Sequence, residues 1–498
     1  MDAARRLDAD LVVLPELVVT GYPPRDLLLD PGFVARTTAV TDEIARDVAG
    51  GPPVVLGTLG RSGRETPGHP GLLDVAAWLE SGRVRARAAK RLLPAYDVFH
   101  ETRWFVPGEA SRPLDAGGRA VGLLVCEDLW DEGYPLHPPA DLAAAGAELL
   151  VCIASSPYRT RVREKRLHHG RRAGRPVVYV NAVGANDELI FDGGSFVLDD
   201  EGRLLAELPR FREAVEVVDL GTGGPRAEAL GPEETLFSAL VLGVGDFAAK
   251  NGLGRVFLGL SGGVDSALVA CIAAAAAGPG AVTALALPSR HSDPRSATAA
   301  RELAASLGVR FEELSIEPLY DAARTALAPL LDASREAAIA DENLQARLRA
   351  LVLSAHVNRQ GGLLLNTSNK TELSLGYGTL YGDLAGTLSV IGDVTKPEVY
   401  ALARWYARER GEIPAFILER APSAELRPDQ VDPFDYPVVA PLLEALVQGT
   451  ALPAAADLAH WQRQLRLSEH KRFQHGIVLK VSERSFGSGR MVPVTRTW

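Results

Sequence analysis

Cysteine is scarce in this chain, with three among 498 residues: Cys126, Cys152 and Cys271. An odd, widely spaced set makes no disulfide framework, and without a CxxC pair there is no zinc signature. Long apolar runs are missing as well. The longest, Ala267 to Ala277, falls short of the roughly 20 residues of a membrane span and reads as a buried Ala-rich helix. The opening MDAARRLDADLVVLPEL has no apolar stretch with a cleavage site, so no signal peptide is expected. Basic runs are absent too, and 53 Lys+Arg against 63 Asp+Glu leave a net charge of −10. Such a chain does not grip a nucleic-acid backbone non-specifically. There is no internal repeat. What remains is a soluble, cytoplasmic class of protein. Its 47% apolar and 23% charged residues suit a folded chain, and its length exceeds one domain at roughly 150 residues each.

Two halves are visible. Short apolar runs at Leu11 to Leu14, Pro53 to Leu56, Ala120 to Val125, Leu149 to Ile153 and Val177 to Val180 read as buried strands. They alternate with helical patterns such as Arg36 to Val48, which argues for a layered α/β fold over residues 1–220. The stretch Gly221 to Glu234 is Gly/Pro-rich, polar and without periodicity, and is read as a linker. Residues 235–498 resume the alternation: helix Thr235 to Lys250, strand Arg255 to Leu260, helix Ser266 to Ala277, strand Val282 to Leu287, helix Ala297 to Leu307, strand Arg310 to Leu314. That rhythm predicts a doubly wound parallel sheet with ligands at the C-terminal ends of its strands.

The sharpest local feature is LGLSGGVDSALVA, Leu258 to Ala270, where an apolar strand runs through Ser261-Gly262-Gly263 into a helix. Two glycines let backbone N–H groups turn inward as an anion nest at a helix N-terminus, and Ser261 and Ser266 add hydroxyls. Asp265 is out of place beside phosphates unless Mg²⁺ lies between them. A bare SGG would be a tight turn with capping side chains. The complete SGGVDS after a buried strand instead resembles the loop of the N-type ATP pyrophosphatases, which cleave ATP between its α and β phosphates. No GxxxxGK[ST] loop occurs. Downstream, a strand is expected to end at Asn366-Thr367, with Glu372 in the following helix as the candidate second Mg²⁺ ligand. Asn343 and Arg347 stand at i, i+4 on one helical face.

In the first half, Cys126 ends the run AVGLLV, as a nucleophile on a sharp turn would, and Glu16 ends another strand. Lys90 lies in AAKRLLPAYDVFHETRWF. A thiol amidase needs a base to make its thiolate and a cation for the tetrahedral oxyanion. Taken singly, the cysteine reads as a buried structural thiol and the lysine as a surface residue. Together, in this order, the trio resembles the Glu–Lys–Cys triad of the nitrilase superfamily.

The segments LPELVVTGYPPRDLL, KRLLPAYDVFHE, LLVCEDLW and NDELIFDGGSF, with PSRHS, ENLQAR, NTSNKTELSLGYGTLYGD, PSAELRPDQ and KRFQ…SERSFGSGR, resemble the glutamine-dependent NAD synthetases over nearly the whole chain. The resemblance implies a nitrilase-like α-β-β-α sandwich followed by a Rossmann-like sheet of the adenine nucleotide alpha hydrolase kind. It implies that Glu16, Lys90 and Cys126 are catalytic, with Glu101 as supporting acid and Tyr96 and Ser156 binding glutamine. ATP would meet Gly259, Leu260, Ser261, Gly262, Gly263, Val264, Asp265, Ser266 and Thr367. Deamido-NAD would meet Asn343, Glu372, Tyr377, Gly378, Thr379, Leu380 and Lys471. Mg²⁺ would be held by Asp265 and Glu372, in a homo-oligomer. Lysine is scarce here, seven in all, which makes Lys471 in a KR motif less of a coincidence.

Three departures stand out. Asp293 occupies the place of a usual serine, Pro433 that of a usual acid, and Asn186 that of a usual glutamine. No basic residue of Arg159 to Lys165 aligns cleanly as a further glutamine ligand. Relative to the family the chain also starts late, at Met1-Asp2 in mid-helix, so the expectation is either a misassigned start or a first domain that lacks its first strand. The rivals are another ATP-pyrophosphatase amidotransferase and a nucleotide-binding scaffold that has lost its chemistry. The first would carry a Gly-flanked or N-terminal cysteine nucleophile. The second would have lost Cys126, Asp265 or Glu372.

Overall fold

The computed structural model describes residues 9–331, 334–428, 430–453 and 457–495. The expectation about Met1-Asp2 lies outside them. The chain divides into two compact units, one of Met1–Asn186 and Ile190–Ala229, the other of Asp187–Leu189 and Leu230–Trp498.

In the first unit, β1 (Val12–Val13), β2 (Val54–Arg61), β3 (Leu72–Glu80) and β4 (Arg83–Ala89) form one sheet in that order. Helix α1 (Pro31–Asp47) starts at Asp30, whose side chain caps the Gly32 amide. Alternation along the strands assigns the faces. Val55, Ala76 and Trp78 pack toward a second sheet, whereas Val54, Leu56, Ala77 and Leu79 pack with Ala45 and Val48 at the end of α1. The second sheet uses β5 (Leu114–Ala116), β6 (Arg119–Val125), β7 (Leu149–Ala154), β8 (Val177–Asn181), β11 (Phe196–Leu198) and β12 (Leu204–Glu207), in the order 12-11-8-7-6-5. Between β8 and β11 the chain makes a separate pair, β9 (Val183–Asn186) and β10 (Leu189–Asp192). Helices α2 (Pro138–Ala144) and α3 (Val162–Arg172) pack on the outer side through Leu142 and Leu167. The result is an α-β-β-α sandwich. Its central strands β6, β7 and β8 are parallel, so their C-terminal ends share one edge.

The second unit opens with helix α4 (Pro232–Lys250), which begins three residues before the expected Thr235 because Pro232 starts it at a position suited to proline. Six parallel strands follow: β13 (Val256–Gly259), β14 (Val282–Ala286), β15 (Arg310–Glu313), β16 (Leu363–Asn366), β17 (Leu388–Ser389) and β18 (Ile477–Val478), ordered 15-14-13-16-17-18. The chain leaves β13 for β14 on one side and returns to β16 on the other. That makes the β13/β16 edge the topological switch point, where doubly wound sheets bind ligands. Helices α5 (Val264–Ala277), α6 (Pro294–Leu307), α7 (Glu317–Ala326), α8 (Arg335–Gln360), α9 (Lys370–Leu375) and α10 (Lys396–Arg410) flank the sheet. The Ala-rich run is α5, buried on nearly every side. No helix among the described residues is long and apolar enough to cross a membrane.

Candidate functional site

The first unit brings Glu16, Lys90 and Glu101 together at the strand ends. Glu16 is held by backbone: its Oε2 accepts from the Ser155 amide at 2.6 Å, and the Ser155 hydroxyl donates to its carbonyl at 2.9 Å. Only glycine fits behind it, since a Cβ on Gly57 would lie 2.1 Å from the Leu17 nitrogen. Lys90 follows β4, and its Nζ donates to Glu16 Oε1 and Glu101 Oε1, both at 2.7 Å. Tyr22 donates to the same Glu101 oxygen at 2.8 Å. The three side chains are buried. Burial works against the Lys90 charge, but Glu101 and Glu16 more than offset it and hold the ammonium well above its ordinary range. Burial lifts the Glu101 carboxyl to about 7, against the pull of Lys90.

Cys126 sits just past β6 with φ 43°, a conformation an L-residue holds only when its surroundings impose it. Asp128 imposes it. Its Oδ2 accepts from the Val125 amide and its Oδ1 from the amides of Arg91 and Leu92, which ties the cysteine turn to the Lys90 loop. Burial, then the Glu16 carboxylate, push the Cys126 thiol up, so it rests as a neutral thiol in need of a base.

Tyr96 is half-exposed, and its hydroxyl donates to Glu127 at 3.0 Å, as Tyr134 does at 2.8 Å. That sets a carboxylate beside the thiol at a partly open face. Ser156 is turned inward: its amide donates to Asn181 Oδ1, and its carbonyl accepts from Arg166, which pairs with Asp192. Among the residues of the uncertain segment, Arg159 lies over the Trp130 ring at 5.7 Å and Arg163 pairs with Glu207. Asn186 donates to the Tyr22 carbonyl.

In the second unit the β13 turn lines a cavity of about 280 Å³ with Gly259, Leu260, Ser261, Gly263, Val264, Asp265 and Ser266, opposite Thr367, Glu372 and Tyr377. Gly262 has φ 78°, and a Cβ there would meet the Ser296 carbonyl at 2.4 Å. The Ser261 and Ser266 hydroxyls are 3.1 Å apart, and Gly263 caps α5, so the helix N-terminus faces the cavity. Lys396 Nζ bridges Asp265 Oδ2 at 2.5 Å and Glu372 Oε1 at 3.4 Å. Asn369 donates to Asp265 Oδ1 at 2.9 Å. Burial pushes Glu372 up to about 8 even so, with Lys396 lowering it and Asp265 raising it. Two hard carboxylates short of positive charge are a donor set for a divalent cation such as Mg²⁺.

The remaining candidates gather beside this cavity. Thr379 donates to Asn343 Oδ1 at 2.6 Å. Arg347 donates to the Leu380 carbonyl at 3.2 Å, and Lys471 Nζ donates to the carbonyls of Gly376 and Gly378. Tyr377 links the two groups by donating to Asp432, which also accepts from Tyr436. Of the departures, Asp293 caps α6 through the Arg295 amide. Pro433 follows Asp432, the acid that both tyrosines reach. The sequence reading missed Glu127, Asp128, Asn369 and Lys396. Glu127 and Asp128 follow the nucleophile candidate directly. Lys396 had a signal in the scarcity of lysine, since four of the seven, Lys90, Lys370, Lys396 and Lys480, are buried.

Comparison with known proteins matches residues 1–224 to the carbon-nitrogen hydrolase family and residues 236–473 to the NAD synthase family. The glutamine-dependent NAD(+) synthetase of Synechocystis sp. is 38% identical over 99% of this chain and 94% of its own. That of Rhodobacter capsulatus is 40% identical over 100% and 94%. Among solved structures, a glutamine-dependent NAD+ synthetase from Acinetobacter baumannii in complex with adenosine diphosphate aligns with a TM-score of 0.77 at 30% identity, over 99% of this chain and 93% of that one. One from Cytophaga hutchinsonii, at 21% identity, shares the fold with a TM-score of 0.84 over 100% of this chain and 93% of that one.

Proposed function

The chain belongs to the glutamine-dependent NAD(+) synthetase family, and from that premise we propose that it converts deamido-NAD, ATP and glutamine into NAD, AMP, pyrophosphate and glutamate. The observation that carries this reading is similarity along the full length to relatives of that name, with an amidase-type family and an NAD synthase family matched in succession.

In the first unit Glu16 takes the proton of the Cys126 thiol, and the thiolate attacks the carboxamide carbon of glutamine. Lys90 stabilises the oxyanion, Glu16 returns its proton to the amide nitrogen, ammonia leaves, and a thioester remains. Water, deprotonated by Glu16, then releases glutamate. Tyr96 and Ser156 would bind glutamine, and Glu101 keeps Lys90 aimed.

In the second unit the turn from Gly259 to Ser266, with Thr367, cradles ATP. The nicotinate carboxylate of deamido-NAD attacks the α-phosphorus, and pyrophosphate leaves. Ammonia then attacks the acyl adenylate and releases AMP. Asn343, Tyr377 to Leu380 and Lys471 would hold the dinucleotide. Asp265 and Glu372 would hold Mg²⁺, with Glu372 also beside the dinucleotide. Bound there, the ion would neutralise charge developing on the phosphates. The three cysteines are free and buried, as a reducing cytoplasm would keep them.

The test is NAD formation from deamido-NAD and ATP, with glutamine or ammonium as nitrogen donor. Activity with both supports the reading. Activity with neither overturns it.

A further inference from the structure

Asp74 is a buried acid beside Lys90 that the reaction above leaves unused. It lies within β3, 1% exposed, and its carbonyl accepts the Lys90 amide at 2.8 Å. Its side chain is placed differently from its neighbours. Asp74 Oδ2 is 3.8 Å from Lys90 Nζ, beyond a hydrogen bond, whereas Glu16 and Glu101 both accept from that ammonium at 2.7 Å. Neither carboxyl oxygen of Asp74 meets a hydrogen-bond donor. Yet oxygens of Glu16, Asp74 and Glu101 lie within 4.8 Å of one another, and Asp74 is within hydrogen-bonding reach of Glu16.

The charges facing Asp74 are Glu16 from the loop after β1, Lys90 from the end of β4 and Glu101 from the turn that follows. Were all three carboxyls ionised, three negative charges would face one ammonium in a buried site that screens them poorly. Carboxyls crowded in this way share protons instead. The donor pattern says where a proton sits. Glu16 accepts from Lys90 through Oε1 and from the Ser155 amide through Oε2, so it is furnished as an anion, whereas Glu101 accepts from Lys90 and Tyr22 through Oε1 alone and its Oε2 meets no donor. Asp74 accepts from no donor and faces a carboxylate oxygen, which suits an un-ionised acid.

We propose that Asp74 is a positioning residue of the glutaminase site: a standing carboxylic acid whose hydroxyl donates to Glu16 and aims it as the base for Cys126. The inference rests on the glutaminase reading above. Burial, followed by the Glu16 carboxylate, pushes the Asp74 carboxyl well up, in the same direction. A neutral Asp74 leaves Glu16 ionised and oriented. An ionised Asp74 would add a second negative charge beside Glu16 and keep it protonated, idle as a base.

Two variants of the full chain test this. Asp74→Leu removes the donor at similar size, and Asp74→Asn keeps a donor while remaining neutral at every pH. Glutamate release should fall about 100-fold in Asp74→Leu, chiefly in kcat, as expected for a misaligned base. Asp74→Asn should recover it to within about threefold of wild type, with the acid limb of the pH profile unmoved. Ammonium-dependent NAD formation reports that the chain is folded. Independently, the infrared difference between wild type and Asp74→Asn at pH 8 should contain the carbonyl band of an un-ionised carboxylic acid. A carboxylate band in its place, or an acid limb displaced by about a unit or more in Asp74→Asn, overturns the proposal. So does full activity in Asp74→Leu. If Asp74→Leu does not fold, the infrared band and the Asp74→Asn profile decide. A wild-type chain inert toward glutamine would count against the glutaminase reading, and the infrared band would still decide the state of Asp74.

Discussion

Lys90→Met keeps the length of the side chain and removes its charge. In the wild type that ammonium makes two 2.7 Å bonds to carboxylates and stands 3.8 Å from the Asp74 carboxyl, all buried. Removing one partner of a buried ion pair costs about 3–5 kcal/mol, because the stranded charge cannot reach water. The stranded carboxyls can escape by taking up protons, so the cost must depend on pH. Burial already raises Glu101 to about 7 with Lys90 present, above the ordinary glutamate value. A carboxyl raised in the folded state stabilises the fold below its unfolded value and loses that contribution as pH rises through the folded one. Without Lys90 the rise is greater, and the deficit of the variant widens between pH 5 and 8. At pH 8 the full cost corresponds to a melting shift on the order of 10 °C, at about 2–4 °C per kcal/mol for a unit of this size. At pH 5 the shift should shrink to a few degrees. Calorimetry of the full chain at both pH values measures this, and glutamate release should be lost at either. A shift of equal size at the two pH values, or a larger one at pH 5, would refute the account of three carboxyls held by one cation.

Further outcomes follow from the second unit. Asp265→Asn should lower NAD formation on the order of 100-fold or more with either nitrogen donor, because charge neutralisation at the phosphates serves both. Near-normal synthesis at limiting Mg²⁺ would remove Asp265 from that role. Gly262→Ala should weaken ATP binding about fivefold or more, by roughly 1–3 kcal/mol of backbone strain, since its Cβ would meet the Ser296 carbonyl at 2.4 Å. Unchanged ATP affinity by calorimetric titration would show that the loop yields. Glu372, at about 8, must lose its proton to hold a cation, so the Mg²⁺ requirement should fall about fivefold from pH 7 to pH 8, about twofold more by pH 9, and flatten above that. A requirement independent of pH would exclude Glu372.

The strand-end segments were legible in the sequence because their chemistry is local. An apolar run followed by Pro15-Glu16, by Cys126 or by Ser261-Gly262-Gly263 shows both the strand and the turn that exposes the group. What escaped depends on partners far along the chain. Lys396 meets Asp265 across 131 positions and Asn369 meets it across 104, and no spacing rule reaches that far. Asp74 sits in LLDVAAWLE, where it reads as one polar break in an apolar strand, and only the fold sets it beside Lys90. The RVRARA at the start of β4 alternates from Arg83 to Ala88, and the sequence reading passed over that signal. Strands β17 and β18, two residues each, carry no periodicity to read and owe their place to the parallel neighbours.

Two separate sites, one cleaving glutamine and one consuming ammonia, are the centre of this account, and Cys126→Ala tests them most directly. The change deletes one sulfur from a side chain 8% exposed and should cost on the order of 1 kcal/mol in stability. With the nucleophile gone, no thioester forms. NAD formation from deamido-NAD and ATP should therefore vanish with glutamine as donor and persist near the wild-type rate with ammonium. Glutamine use that survived the substitution, or a folded variant that lost the ammonium reaction as well, would contradict it.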